Sequence, residues 1–85
     1  MTSYIALIRK DIASIYGVDF PDFPGCVTAG ETLEDARRLA AEALELHVEE
    51  MLLNREPLPD ATSLETIMED GGNHEAVAFL VEISV

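Results

Sequence analysis

The string FPDFPGCVTAGET, residues 20–32, constrains this chain more than any other stretch. Pro21 has no N–H to give a sheet ladder, so it closes the strand before it. Pro24 and Gly25 suit the central positions of a type II turn, where the second residue must take a positive φ that glycine accepts cheaply. Residues 26–29 then read as a short strand that stops at Gly30. Thr32 has the side chain of a helix N-cap, and Asp35 stands where a capping box prefers Glu or Gln. In one short run the chain therefore ends a strand, reverses, makes another strand and starts a helix.

Upstream, residues 3–9 (SYIALIR) carry Tyr4, Ala6 and Ile8 on one face and Ile5 and Leu7 on the other. Both faces are apolar, which predicts a strand covered on both sides. Residues 10–14 form a polar connection suited to a hairpin, and residues 15–20 (IYGVDF) alternate, with Tyr16, Val18 and Phe20 on one side. The first third of the chain is thus a three-stranded antiparallel meander.

Downstream, a helix is expected from Leu33 to about Leu53, roughly 30 Å long at about 1.5 Å per residue. At 100° per residue, Leu33, Ala36, Leu39, Ala40, Ala43, Leu44, Leu46, His47 and Met51 gather on one side. Glu34, Arg37, Arg38, Glu42, Glu45 and Glu49 gather on the other. The small residues Ala36, Ala40 and Ala43 would let the helix lie close to a sheet. Pro57 and Pro59 prevent the helix from resuming, and Ser63 could cap a short second helix over residues 64–69. Residues 70–73 form a turn. Residues 76–83 (AVAFLVEI) are the strongest strand signal, with Val77, Phe79, Val81 and Ile83 on one face. Ala78 and Leu80 partly cover the other, which suggests an interior place in the sheet. The expected fold is α+β, in the order β-β-β-α-α-β, with the long helix on one face of the sheet in a single two-layer domain spanning residues 1–85.

Composition bounds the function. A chain of 85 residues has one small core and a thin stability margin, so self-association as a homodimer or larger homo-oligomer is expected. Seventeen acidic residues against five basic ones give a net charge of -12. That field repels phosphate backbones and favours basic partners, which argues against direct nucleic-acid binding. Cys26 is the one cysteine, so no internal disulfide can form. No signal peptide is visible, and no apolar run approaches the ~18 residues of a membrane span. A reducing cytoplasm is the expected setting.

No set of residues here has the pattern of a catalytic, cofactor-binding or metal site. His47 lies on the apolar helix side and reads as a core histidine, His74 as a solvated turn residue, and Cys26 as a small buried hydrophobe with no basic neighbour to activate it. The three share no close metal-ligand spacing. Asp11 lies in a hairpin loop, Asp19 near a strand end, and the helix acids face solvent, so they form no evident two-metal cluster.

The pieces YIALI, VDFPDFPGCVTAGETLEDA, AEALELHVEEML, EPLPDAT and AVAFLVEISV, taken together, resemble the HicB antitoxins of type II toxin–antitoxin pairs over nearly the whole chain. The resemblance implies a partial ribonuclease H-like fold without nuclease activity. It implies a partner, the small basic HicA toxin, an mRNA-degrading ribonuclease whose active or RNA-contacting surface the antitoxin covers. Many family members continue into a DNA-binding domain where this chain reaches Val85, so operator binding is not carried over. The residues expected to face the toxin, by exposure and sign, are Asp19, Asp22 and Phe23 near the second strand and turn, with Glu34, Glu42 and Glu45 on the helix; Phe23, between two prolines, is otherwise a ring tucked under the loop, the reading favoured on burial alone. Two other readings are a metal-dependent ribonuclease H-like nuclease and a small ligand-binding or structural oligomer with an apolar cavity.

Overall fold

Both apolar faces of the first strand find a cover, and that requirement organises the structure. The computed structural model describes residues 2–10 and 15–84. Strand β1 (Thr2–Lys10) pairs with β2 (Tyr16–Asp19) on one side and with β4 (Val77–Ile83) on the other. Strand β3 (Val27–Gly30) pairs with β2, so the antiparallel sheet has the order β3-β2-β1-β4. Helix α1 (Leu33–Leu53) lies on one face, and α2 (Leu64–Met68) with a 3₁₀ turn (Gly71–Asn73) precedes β4.

Under α1, Tyr4, Ala6 and Ile8 pack with Val18, Val81 and Ile83 against Ala36, Ala40, Leu44 and Val48. On the opposite face, Ile5 and Leu7 are buried with Ile67, flanked by Met68, Ala76 and Ala78. The second cluster is why the central strand carries no polar face. The Thr32 hydroxyl caps α1 by accepting the Asp35 N–H at 3.0 Å, and Glu34 and Asp35 lie in its first turn, where the helix dipole favours negative charge. At the other end, the Glu56 N–H reaches the Met51 carbonyl at 2.8 Å and the Arg55 N–H reaches Leu52 at 3.1 Å. This is a Schellman closure with Arg55 at φ 56°, the place glycine usually takes.

Two expectations are corrected. The buried stripe of α1 is Ala36, Ala40, Leu44 and Val48, every fourth residue. Leu46 lies two residues beyond Leu44, about 200° round the helix at about 100° per residue, and is 67% exposed; Leu33 is exposed as well. The last strand is not interior: β4 is an edge of the sheet, and its Val77 and Leu80 are exposed. Alternation reports which faces are apolar, not whether a neighbour lies alongside. Residues 11–14, with the expected hairpin connection and Asp11, lie outside the described residues.

Candidate protein-binding surface

The loop between β2 and β3 is built from two successive turns. The Phe23 N–H donates to the Phe20 carbonyl and the Cys26 N–H to the Phe23 carbonyl, each at 3.0 Å. Gly25, the third residue of the second turn, has φ 90°, as the Pro-Gly pair predicts for type II geometry. The turn directs Phe23 inward. Its ring is 2% exposed, edge-on to Tyr4 at 4.6 Å and to the half-buried His47 at 5.7 Å. The expectation that Phe23 is offered to a partner is therefore corrected: a ring sealed between β1 and α1 cannot touch a second protein without unfolding the loop.

The two acids beside it have internal partners. Asp22 accepts hydrogen bonds from the Thr62 N–H, at 2.9 Å, and from the Thr62 hydroxyl. Together with the Tyr4 hydroxyl, which donates to the Pro59 carbonyl at 2.6 Å, this clasps the proline-containing segment after α1 against the loop. Asp19 pairs with Arg9 at 3.0 Å, and Arg9 also donates to the Gly72 carbonyl at 2.8 Å and to Asn73 at 2.7 Å. Both carboxylates keep some exposure, but each first serves to hold two parts of the chain together.

Burial pushes the Cys26 thiol up, which disfavours the thiolate a nucleophile needs. The Tyr4 phenol is also pushed up, first by burial and then by the carboxylates of Asp22 and Asp60. In both cases the fold binds the proton more tightly than the unfolded chain does. The resulting stability is complete below the ordinary values of 9.0 and 10.0 and is lost as pH rises through the raised ones. Thermal melts should accordingly be flat near neutrality and fall in the alkaline range. Tyr4→Phe should cost about 0.5–1.5 kcal/mol at pH 7 by removing one hydrogen bond, yet shallow the alkaline decline; a decline as steep as in the parent chain would remove Tyr4 as its source.

The outer surface of α1 is where acidic side chains project. Glu34, Glu42, Glu45 and Glu49 are exposed. Glu42 pairs with Arg38 at 3.2 Å, and Arg38 also approaches Asp35 at 3.6 Å. Glu34 and Glu45 enter none of the ion pairs found among the described residues. Among those residues no three His, Cys, Asp or Glu side chains converge where they could hold a metal. His74 is exposed, with Nε2 at 2.8 Å from the Met68 carbonyl. No helix among the described residues is long and apolar enough to cross a membrane.

Two features escape the sequence reading. One is an open groove of about 420 Å³ beside α2, lined by Ile5, Thr62, Leu64, Ala78 and Leu80 among others, with no charged side chain on its walls. The other is the bare edge of β4, where Arg37 lies 5.4 Å above the Phe79 ring. The hint in the sequence is Leu80 sharing a strand face with Glu82, an apolar residue on a face that is not wholly covered.

Comparison with known proteins agrees with this architecture. Residues 4–85 match the family described as HicB_like antitoxin of bacterial toxin-antitoxin system. The crystal structure of the Burkholderia pseudomallei antitoxin HicB superposes with a TM-score of 0.89 at 31% identity, covering 100% of this chain and 65% of that one. Its separate N-terminal domain gives 0.89 at 30% identity, covering 99% of this chain and 100% of the domain. A chain of the HicA3 and HicB3 toxin–antitoxin complex gives 0.78 at 29% identity, covering 99% and 100%. An uncharacterized 14.9 kDa protein from the rep-hol intergenic region of Haemophilus phage HP1 is 34% identical over 70 residues, covering 82% of this chain. This chain spans 53% of that phage protein's length.

Proposed function

This chain belongs to the HicB-like antitoxins of bacterial toxin–antitoxin systems, and on that premise we propose that it neutralises a small basic HicA-type ribonuclease by covering the surface that binds and cuts RNA. The support is its likeness, over 99% of its length, to a chain of a HicA3 and HicB3 toxin–antitoxin complex, joined to its own net charge of -12. A ribonuclease that grips a polyanion presents cationic side chains, and an acidic protein body can occupy them in place of RNA. In this reading the chain has no catalytic role, works in the cytoplasm and acts as a homodimer or larger homo-oligomer.

The contact surface in this reading is the outer face of α1, with Glu34, Glu42 and Glu45, extended by the exposed parts of Asp19 and Asp22. Phe23 acts from beneath, by fixing the loop that carries Asp22. Charge at such a rim speeds and orients encounter, while packing sets the lifetime of the complex.

Titration of the purified chain into a HicA-type ribonuclease should abolish RNA cleavage near stoichiometric ratio. The double variant Glu34→Lys, Glu42→Lys, which leaves Glu45 in place, should weaken binding by about 10–100-fold at low salt and by less at high salt, where screening shortens the reach of each charge to about 8 Å or below. Unchanged affinity would discard the helix face as the contact. An uninhibited toxin would discard the whole reading. Cleavage of RNA by the chain itself with Mg²⁺ or Mn²⁺ would favour the nuclease alternative instead.

A further inference from the structure

We propose that the free edge of β4 is a self-pairing surface: two copies join antiparallel across a two-fold axis at Leu80, with Arg37 of each copy facing Glu45 of the other. The proposal gives a surface to the homo-oligomer of the functional reading and rests on that part of it alone, not on toxin neutralisation.

The edge itself is the first argument. β4 pairs with β1 along its whole length, Val77 opposite Ile8 through Ile83 opposite Thr2, and no strand among the described residues pairs with its other side. Sheet proteins that stay monomeric blunt such edges with charge, proline, bulges or brevity. β4 has seven residues, VAFLVEI, with Glu82 as the one charge and no proline or glycine. The opposite edge, β3, has four residues, VTAG. The bare apolar edge is the longer one.

The second argument is register. An antiparallel pairing centred on Leu80 sets Leu80 against Leu80 of the second copy, Phe79 against Val81, Val77 against Ile83, and Ala78 against Glu82. No like charges stand opposite each other. The two Glu82 side chains fall four residues apart along the ladder, about 13 Å, beyond the screening length of about 8 Å at physiological salt. Leu80, which is 65% exposed, is covered by its own counterpart at the rim of the apolar groove.

The third argument is charge complementarity, which selects a second copy over other occupants. Along α1, the residues beside β4 are Arg37, Arg38 and Ala41 next to Phe79–Glu82, then Glu45, Val48 and Glu49 next to Ile83 and Ser84. On the helix side the flank thus carries Arg37 at its start and Glu45 and Glu49 at its end. A two-fold axis at Leu80 runs the two helices in opposite senses on one side of the joined sheet. Ala41 lies near the axis, with Arg37 one turn before it and Glu45 one turn after, so each Arg37 faces the Glu45 of the second copy. A wholly basic partner would meet Arg37 with like charge at this flank, while Arg38 is already paired with Asp35 and Glu42. In such a dimer Glu45 lies at the seam, and of the helix acids assigned to the toxin Glu34 and Glu42 stay clear of it.

Sedimentation equilibrium or light scattering of the full chain at physiological salt tests this. The parent chain should have twice the monomer mass at high micromolar concentration. Leu80→Lys, at an exposed site, sets two ammonium groups opposite each other and should raise the dimer dissociation constant at least about tenfold, with an unchanged circular dichroism spectrum. Arg37→Glu and Glu45→Arg should each weaken the dimer, and the two together should restore it, which a merely structural role for either residue would not. A dimer indifferent to all three changes overturns this interface and leaves the homodimer standing; a monomeric parent chain overturns both. Toxin inhibition by the Leu80→Lys monomer, read in the RNA-cleavage assay, is a separate result.

Discussion

The Phe23→Ala variant should lose about 3–5 kcal/mol of folding stability, the range for deleting a buried aromatic ring when the site cannot collapse around the void. A chain of 85 residues, at about 0.05–0.15 kcal/mol per residue, has about 4–13 kcal/mol in all. The substitution therefore removes a large share and can unfold the protein outright. The site resists collapse because Phe23 is clamped from above and below: its backbone closes both turns of the loop, while its ring meets Tyr4 and His47 edge-on. Tyr4 in turn holds Pro59, so the loss should loosen the segment after α1 as well. Urea denaturation followed by circular dichroism measures it. Leu53→Ala, at a residue 84% exposed, should stay within about 0.5 kcal/mol of the parent chain. A Phe23→Ala loss below about 1 kcal/mol would place the ring at the surface after all.

Gly30→Ala should be damaging for a different reason. A Cβ at Gly30 would lie 2.5 Å from the Ala36 nitrogen, 2.8 Å from its Cα and 2.9 Å from the Asp35 carbonyl carbon. These are backbone atoms of the first turn of α1 and cannot swing aside as a side chain can. Either β3 moves off the helix or the capped turn distorts. Overpacking of this kind costs about 1–3 kcal/mol, or more where backbone must shift. Gly17→Ala is the matched control, because its Cβ would meet only the Arg9 carbonyl oxygen at 3.7 Å, an ordinary contact. There the gain from restricting the unfolded chain, about 0.4–1 kcal/mol, should roughly cancel any loss. Thermal melts of the two variants side by side decide it, at about 4–8 °C per kcal/mol for a domain of this size. Equal melting temperatures would show that β3 and α1 do not approach as closely as described.

These two sites differ in how readable they are. Gly30 as the end of a strand follows from the string around it, but its contact with Ala36 does not, since it depends on the angle at which α1 returns across β3. Phe23 sits between Pro21 and Pro24, where an aromatic either tucks under the loop or points out; the rarity of exposed aromatics favours the first, but local rules do not decide it. The helix is more readable. Thr32 and Pro57 bracket it correctly, and the outward place of Leu46 is also legible, since about 100° per residue sets it about 200° from Leu44. Asp19 and Asp22 look alike in sequence as exposed acids. Each is tied by a partner far along the chain or across a strand pair, Arg9 for one and Thr62 for the other.

By itself the sequence determined the elements and their order, because turns, caps and side-chain periods are set by atoms within a few residues of one another. It also determined that β1 must be covered on both faces, since Tyr4, Ile5, Ala6, Leu7 and Ile8 leave it no polar side. Only the tertiary structure decided that β4 ends the sheet with Val77 and Leu80 in the open, that Phe23 closes the core, and which acids are held by Arg9 and Thr62. Those outcomes depend on which distant segments come to lie side by side. Burial and pairing are properties of the assembled layers, and no local spacing encodes them.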